Sequence, residues 1–361
     1  MSVFANDAFD GHEAVHFFTD AASGLRAVIA IHSTILGPAA GGCRMWPFAD
    51  DRMALTDVLR LSRGMSLKNA MADLPLGGGK AVIIGDPRRH KTPDLLMAFG
   101  RAVDSLGGRY VTAEDVGMSV ADMQVIRLTT RHVCGLPAAP GARLGGDPSP
   151  HTARGVFNGI RAAVRAKLGR DDLEGLRIAV QGLGHVGHAL ARLLHQAGAR
   201  LVVADIDGAA VARAAEELGA ETASPDEILF ADVDVLAPCA LGGVLNRDTI
   251  PRLRTPIVAG AANNQLLTDM DGTRLAERGI LYAPDYVINA GGIIHVAAEY
   301  LDSLDADMAA RKIEGIFDTL AEIFDRAART GRPTNRIADE MALSRLKAGP
   351  RTERPRISSI A

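Results

Sequence analysis

With 361 residues, 47% of them hydrophobic and 23% charged, the chain is a globular protein long enough for two cores. A formal net charge of −3 offers no basic surface for nucleic acid or an anionic membrane, and no apolar run approaches the ~20 residues that span a bilayer. The acidic start of the chain, with Asp7, Asp10 and Glu13, lacks the basic region of a secretory signal, and Cys43, Cys134 and Cys239 are widely spaced, so reduced thiols in a cytoplasmic protein are expected.

In chain order, residues 27–31 read as a strand, 51–63 as a helix, 80–84 as a strand and 92–105 as a helix. Residues 135–150, dense in Gly, Pro and Ala, read as a connection between domains. Beyond it come a helix at 152–168, a strand at 177–181, a helix at 184–197, a strand at 200–204 and a helix at 208–218. Strands at 233–237 and 256–259 follow. Strands alternating with helices imply parallel βαβ units. A final amphipathic helix is expected at about 314–329, and from Gly349 a loose basic tail. The histidines form no cluster of ligand type. His185 and His188 are close in sequence but lie in a glycine-rich turn, so no metal is expected.

That turn is Gly182-Leu183-Gly184-His185-Val186-Gly187, a G-x-G-x-x-G run after a strand and opening a helix. The first glycine permits the tight turn, the second lets the backbone approach a pyrophosphate, and the third allows close helix–strand packing. The helix start adds unpaired N–H groups and the positive end of the dipole. Asp205 ends the next strand at the spacing where an acid, about 20 residues on, accepts hydrogen bonds from the adenosine ribose. Its charge repels a 2′-phosphate, and its neighbours Ala204 and Ile206 supply no cation, so NAD is expected rather than NADP.

Leu76-Gly77-Gly78-Gly79-Lys80-Ala81 is not a phosphate loop, because Ala81 stands where Ser or Thr is required and Leu74 where the first glycine is. The glycines are expected to carry the backbone close to a ligand. A lysine held there, poorly hydrated, becomes a usable general base near neutral pH. Lys68, following a helical segment, presents a fixed cation suited to a carboxylate, and Asp115 is a carboxylate at a strand end.

Further motifs join these residues: Gly41-Gly42-Cys43-Arg44-Met45, Met65-x-x-Lys68, Thr112-Ala113-Glu114-Asp115, Gly146-Asp147-Pro148-Ser149-Pro150, Ala237-Pro238-Cys239-Ala240-Leu241-Gly242, Gly260-Ala261-Ala262-Asn263-Asn264-Gln265 and Asn289-Ala290-Gly291-Gly292. In this order they resemble the glutamate/leucine/phenylalanine/valine dehydrogenase family over almost the whole chain. The resemblance implies an α/β fold of two domains with a cleft between them that closes on substrate. A substrate-binding and assembly domain would span 1–140, a Rossmann-like doubly wound NAD domain 141–330, and a C-terminal segment, 331–361, would return to the first. It implies a homo-oligomer acting on a small-molecule substrate. By the same resemblance Lys80 is the catalytic lysine, Asp115 shuttles a proton to and from the amino group, and Lys68 binds the substrate α-carboxylate beside Met65 and the backbone of Gly41 and Gly42. Asn263 falls near substrate and nicotinamide, and Thr152, Ala240 and Asn289 contact the cofactor together with the Gly182–His185–Val186 loop.

Where glutamate-specific relatives place a lysine before the glycine pair, this chain has Ala40. A second substrate carboxylate there would be buried unpaired, at a cost of several kcal/mol. Ala113, Ile293 and Val296 match the other pocket walls and suit a branched aliphatic side chain, whereas Ala40 leaves room for a larger one. Leucine or valine is expected, with phenylalanine as the alternative. Two other readings are a 2-hydroxy-acid dehydrogenase using Arg254, Glu277 and His295, and a non-catalytic NAD sensor. The second has no use for Lys68, Lys80 and Asp115 together.

Overall fold

The computed structural model describes residues 2–138 and 144–349. Part of the expected connection and the tail beyond Gly349 lie outside the described residues. The chain divides into two compact units. The first comprises residues 1–147, 295–306 and the described chain from Ala342; the second comprises Pro148–Ile294 and Asp307–Met341.

The first unit is built on strands β1 (Ala14–Asp20), β2 (Leu25–Ser33), β3 (Ala39–Ala40), β4 (Cys43–Trp46), β5 (Gly77–Ile84) and β6 (Tyr110–Val111), with helices α1 (Asp51–Met71), α2 (Pro93–Asp104) and α3 (Val120–Arg127). The sheet is mixed, ordered β1-β2-β5-β3-β6, with β4 continuing beside β5. Strands β1, β2 and β5 are antiparallel, and β3, β4 and β6 run parallel to β5 or to one another. Period-two alternation sorts the side chains into two layers. Ile29, Ile31, Ala81 and Ile83 face α2 and α3 through Leu95, Phe99, Val103 and Ile126. Val28, Ala30 and Val82 face α1 through Ala54, Val58 and Leu59. Lys80 alternates with Val82, which puts it on the α1 side.

Helix α1 starts at an Asp50 cap that accepts the Met53 N–H, and it runs well past the expected end at residue 63. Gly64 costs such a helix about 1 kcal/mol, but packing on β5 carries the helix through it. Lys68 therefore stands in the last turn of α1 and not after it.

In the second unit α4 (Ser149–Leu168) leads into β7 (Arg177–Gln181), α5 (His185–Gln196), β8 (Arg200–Ala204), α6 (Gly208–Leu218) and β9 (Glu221–Thr222). Then come β10 (Val235–Pro238), β11 (Ile257–Val258), α7 (Asp269–Glu277) and β12 (Leu281–Tyr282). The sheet order is β12-β11-β10-β7-β8-β9, and every pairing is parallel. The chain winds outward from β7 to β9 and, on the other side, from β10 to β12. This is the doubly wound order, with its switch point between β7 and β10. Ala179, Val202, Leu236 and Val258 pack with Leu275 and Ile280 in one core.

Helices α8 (Asp285–Ile288), α9 (Gly291–Tyr300), α10 (Ala306–Glu314), α11 (Ile316–Thr330) and α12 (Thr334–Ala348) complete the chain. The helix expected to be final, at 314–329, is α11, and α12 follows it. Gly331, at φ 66°, ends α11, and α12 buries Ile337, Ala338, Met341, Ala342 and Leu346 at helical spacing. No described helix is long and apolar enough to cross a membrane.

Candidate active site

The first unit gathers its candidate residues around one glycine pair. Ala40 pairs with Gly78 and Cys43 with Ala81, so the intervening Gly41 and Gly42 run alongside Gly79 and Lys80. On the other side Gly41 N–H donates to Val111 and Cys43 N–H to Ala113. A Cβ on Gly42 would stand 2.5 Å from the Glu114 carbonyl oxygen and 2.9 Å from Asp115 Cβ. The bare backbone at Gly42 thus lets Asp115 cross the strand and reach Lys80.

Lys80 Nζ lies 2.8 Å from Asp115 Oδ2, and the lysine side chain is only 8% exposed. Asp115 Oδ2 also accepts from Arg44 Nε at 3.2 Å, and Arg44 Nη1 donates to Asp57 at 3.0 and 3.3 Å. Burial alone would raise the Asp115 carboxyl, but the Lys80 ammonium and the Arg44 guanidinium outweigh it and hold it at about 2. Burial pushes the Asp57 carboxyl up, against the opposing pull of Arg44 and Lys80. Asp115 is therefore a carboxylate at any working pH, within hydrogen-bond reach of a lysine. That pair can pass a proton without bulk water.

Met65 stands over the glycine pair, its Cγ 3.0 Å from where a Gly41 Cβ would be. Lys68, one turn further along α1, shares that face. The glycines before Lys80 act otherwise than expected. They are the first residues of β5, and each missing Cβ faces protein. A Cβ would meet the Ser33 carbonyl oxygen at Gly77, Ser66 and Ser62 at Gly78, and the Tyr110 ring at Gly79. Gly78 lets α1, with its Met65 and Lys68, come close onto the strand that carries Lys80, while Gly77 and Gly79 make room for β2 and β6. Of the expected pocket walls, Ala40 is 6% exposed and Val296 9%, while Ala113 and Ile293 are half-buried. Ile293 belongs to the second unit and Val296 to the first, three residues apart on α9.

In the second unit the glycine-rich turn divides its tasks. Gly182 has φ 97°, and a Cβ there would meet Ala240 Cβ at 2.8 Å, so the turns after β7 and β10 touch at the switch point. Gly187 packs against the Gly182 carbonyl oxygen, 1.9 Å from where its Cβ would stand. Gly184 has no atom within 4 Å of that position. It is the N-cap of α5 and makes no side-chain cap bond, so the helix start, with exposed His185 and half-buried Val186, presents its amides outward. Asp205 accepts from Leu183 N–H at 2.5 Å and Asp207 N–H at 2.8 Å, which fixes it beside the turn. Asn289 Nδ2 donates to Asn263 Oδ1 at 2.8 Å and to the Ala261 carbonyl, whereas the buried Asn289 Oδ1 has no hydrogen-bond partner among the described residues. Thr152, in the first turn of α4, lies against Gly291 and Gly292. An open helix start, a bare Gly184 and an unsatisfied amide oxygen are what a dinucleotide with its ribose hydroxyls would complete.

The expected residues fall into two groups. Gly41, Gly42, Met65, Lys68, Lys80 and Asp115 gather in the first unit. Thr152, Gly182, Gly184, Gly187, Asp205, Ala240, Asn263 and Asn289 belong to the second. The set Arg254, Glu277 and His295 is divided, with exposed Arg254 and Glu277 in the second unit and buried His295 in the first. Sequence reasoning assigned no role to Arg44 and did not single out Asp57. The one local signal was a charged residue in a strand between Cys43 and Met45, which have no exposed surface.

A family profile described as "Glu/Leu/Phe/Val dehydrogenase, dimerisation domain" matches residues 12–132, and one described as "Glutamate/Leucine/Phenylalanine/Valine dehydrogenase" matches 147–214 and 208–335. The leucine dehydrogenase of Bacillus subtilis is 50% identical over 93% of this chain and 92% of its own length. The valine dehydrogenase of Streptomyces virginiae is 50% identical over 93% and 94%. The crystal structure of L-tryptophan dehydrogenase from Nostoc punctiforme, 45% identical, superposes with a TM-score of 0.81 over 94% of this chain and 96% of that one. The chain belongs to the glutamate/leucine/phenylalanine/valine dehydrogenase family and is an amino-acid dehydrogenase.

Proposed function

We propose that the protein catalyses the reversible, NAD-dependent oxidative deamination of leucine or valine to the 2-oxo acid and ammonia. The observation that carries this reading is the Lys80–Asp115 pair beside Gly41 and Gly42. Lys68 anchors the substrate α-carboxylate, with Met65 and the backbone of the glycine pair bounding the reacting carbon. Bound NAD supplies the hydride acceptor. Gly182, Gly184, His185, Val186 and Gly187 would hold its pyrophosphate, Asp205 its ribose, and Thr152, Ala240, Asn263 and Asn289 the nicotinamide end. Loss of hydride from the α-carbon leaves an imino acid, whose positive charge the ionised Asp115 stabilises. Lys80 takes a proton from water, which attacks the imine carbon, and Asp115 passes that proton from Lys80 to the nitrogen, leaving both groups as they began. Collapse of the carbinolamine releases ammonia and the 2-oxo acid.

Asp205 excludes a 2′-phosphate by charge, and the residue after it, Ile206, is 94% exposed and apolar. NAD over NADP follows. The leucine and valine dehydrogenase relatives support a branched aliphatic substrate, and the dimerisation-domain match supports a homo-oligomer. An aromatic substrate is the second reading, favoured by the small Ala40 and by the tryptophan dehydrogenase relative.

The test is NADH formation from Leu, Val, Ile, Phe, Trp and Glu, in wild type and Ala40→Leu. Leucine or valine should give the highest kcat/KM and glutamate none. Ala40→Leu should penalise phenylalanine more than valine, by roughly 5- to 150-fold for an overpacking cost of ~1–3 kcal/mol. A higher kcat/KM with Phe or Trp would establish the second reading, and no NADH from any amino acid would refute both.

A further inference from the structure

Arg44 has no part in the roles assigned above, yet it bridges two carboxylates. Its Nε donates to Asp115 Oδ2 at 3.2 Å, and its Nη1 to Asp57 Oδ2 at 3.0 Å. Arg44 comes from β4, Asp57 from α1, and Asp115 follows β6, so three elements meet at one guanidinium. The side chains are 23%, 27% and 21% exposed, too enclosed for water to screen their charges fully.

We infer that Arg44, anchored by Asp57, is a positioning residue for the deamination, holding Asp115 against Lys80 and returning it to the carboxylate whenever it is not carrying the proton. This rests on the reading of Asp115 as the proton-transfer group. Each time Lys80 gives up its proton, Asp115 loses the positive charge 2.8 Å away. A largely buried carboxylate left alone is costly and tends to neutralise itself by taking a proton. A guanidinium cannot be deprotonated in this setting, so Arg44 supplies the positive charge that does not come and go. Asp57 keeps that charge in place and offsets it, so that Lys80 is not opposed by an unpaired cation. Asp115 also acts on Cys43 on β4 and Tyr110 on β6, both pushed well up by burial and neutral at working pH. Arg44 is thus the constant cation that faces Asp115 among these groups.

The experiment is the pH profile of kcat and KM in wild type, Arg44→Gln, Arg44→Lys and Asp57→Asn, with Asp115→Asn as reference. Arg44→Gln should lower kcat about 10-fold or more, as for losing a charge-assisted hydrogen bond, with KM changed little. The acid limb of kcat/KM should move up by about 1–3 in pH, because an arginine beside an aspartate lowers it by that much. Arg44→Lys keeps the charge, and its acid limb should stay where the wild type has it, with an intermediate kcat. Asp57→Asn should lower kcat without moving the limb upward.

Wild-type kcat and acid limb in Arg44→Gln would overturn the inference. So would a loss that is equal at every pH and equal in Arg44→Lys, which is the mark of packing alone, or a raised KM at unchanged kcat, which is the mark of a substrate contact. If Arg44→Gln does not fold, Arg44→Lys and Asp57→Asn decide: wild-type kcat in both overturns the inference, and lowered kcat with an unmoved limb supports it. Full activity in Asp115→Asn would instead remove the role of Asp115 itself.

Discussion

In the first unit the missing Cβ atoms of Gly41, Gly42, Gly77, Gly78 and Gly79 are all answered by protein, at Gly79, Glu114, Ser33, Ser66 and Tyr110. In the second, Gly182 and Gly187 are of that kind, but Gly184 faces no atom within 4 Å. The polar groups divide in the same way. Lys80, Asp115, Arg44 and Asp57 satisfy one another, whereas the Asn289 amide oxygen has no partner among the described residues. A group that does chemistry must have its charge and direction set before substrate arrives. A group that recognises a ligand must keep its hydrogen-bonding capacity for it.

The largest test of this contrast is Lys80→Ala. It should lower kcat by roughly 10²-fold or more, as for losing a positioned base, while NADH titration by fluorescence gives a near-normal Kd. Weakened NADH binding with retained turnover would reverse the assignment of the two units.

A pair of glycine variants breaks the contrast more directly. Gly78→Ala puts a Cβ 2.1 Å from Ser66 Oγ and 2.2 Å from its backbone nitrogen. The first unit should lose ~1–3 kcal/mol or more, read as a lowered Tm. Gly184→Ala meets nothing in the protein and should leave stability within about 0.5 kcal/mol, but weaken cofactor binding. Equal Tm losses would show that the two glycines do the same work.

Glu299 is one exception within the first unit, beside the buried His16 Nε2 and Asn69 Oδ1. Its Oε2 accepts from Gly135 N–H at 2.8 Å and Leu136 N–H at 3.3 Å, but its buried Oε1 has no partner among the described residues. Burial pushes its carboxyl up to about 7, against the two backbone donors, with Glu114 adding to the rise. The fold therefore favours the protonated acid. Its stabilising contribution is complete below the unfolded value of about 4.3 and is lost as pH rises through about 7. Between pH 5 and 8 the wild type should lose about 2 kcal/mol relative to Glu299→Gln. Parallel Tm–pH curves for the two would contradict this.

The smallest effect is expected at Asp205, whose charge is proposed to separate the two cofactors. Asp205→Ser should narrow the preference for NAD over NADP by about tenfold, the worth of ~1.4 kcal/mol. An unchanged kcat/KM ratio would place the discrimination elsewhere.

Much of the second unit could be read from local pattern. Strands β7 and β8 and helix α6 stand where the alternation of β-branched runs with helical periods placed them, because a buried parallel strand is a short apolar block bounded by turns. Strands β3, β6, β9 and β12 have two residues each and so carry no period to detect. In the site, Lys80 and Asp115 were recognisable from their motifs. Arg44 and Asp57 were not, since the Arg44–Asp115 bond joins residues 71 apart and leaves no trace in either neighbourhood. The packing of the glycines before Lys80 leaves no local trace for the same reason: Ser33, Ser66 and Tyr110, which they accommodate, lie on β2, α1 and β6.

The last helix has a consequence for how the protein is made. Arg345, on α12, donates to the carbonyls of Ala70 and Met71 at 3.0 and 2.9 Å, at the end of α1, where the Ala70 carbonyl also accepts from Asp73 N–H at 3.2 Å. The residues joined lie as much as 275 apart. A ribosome translating this chain therefore finishes α1 long before the cation that caps it exists. Until then the end of the helix bearing Met65 and Lys68 lacks that cation, and the second unit is synthesised in the interval. Order of synthesis and order of completion are thus reversed, and the first unit is closed by residues that emerge only after the second.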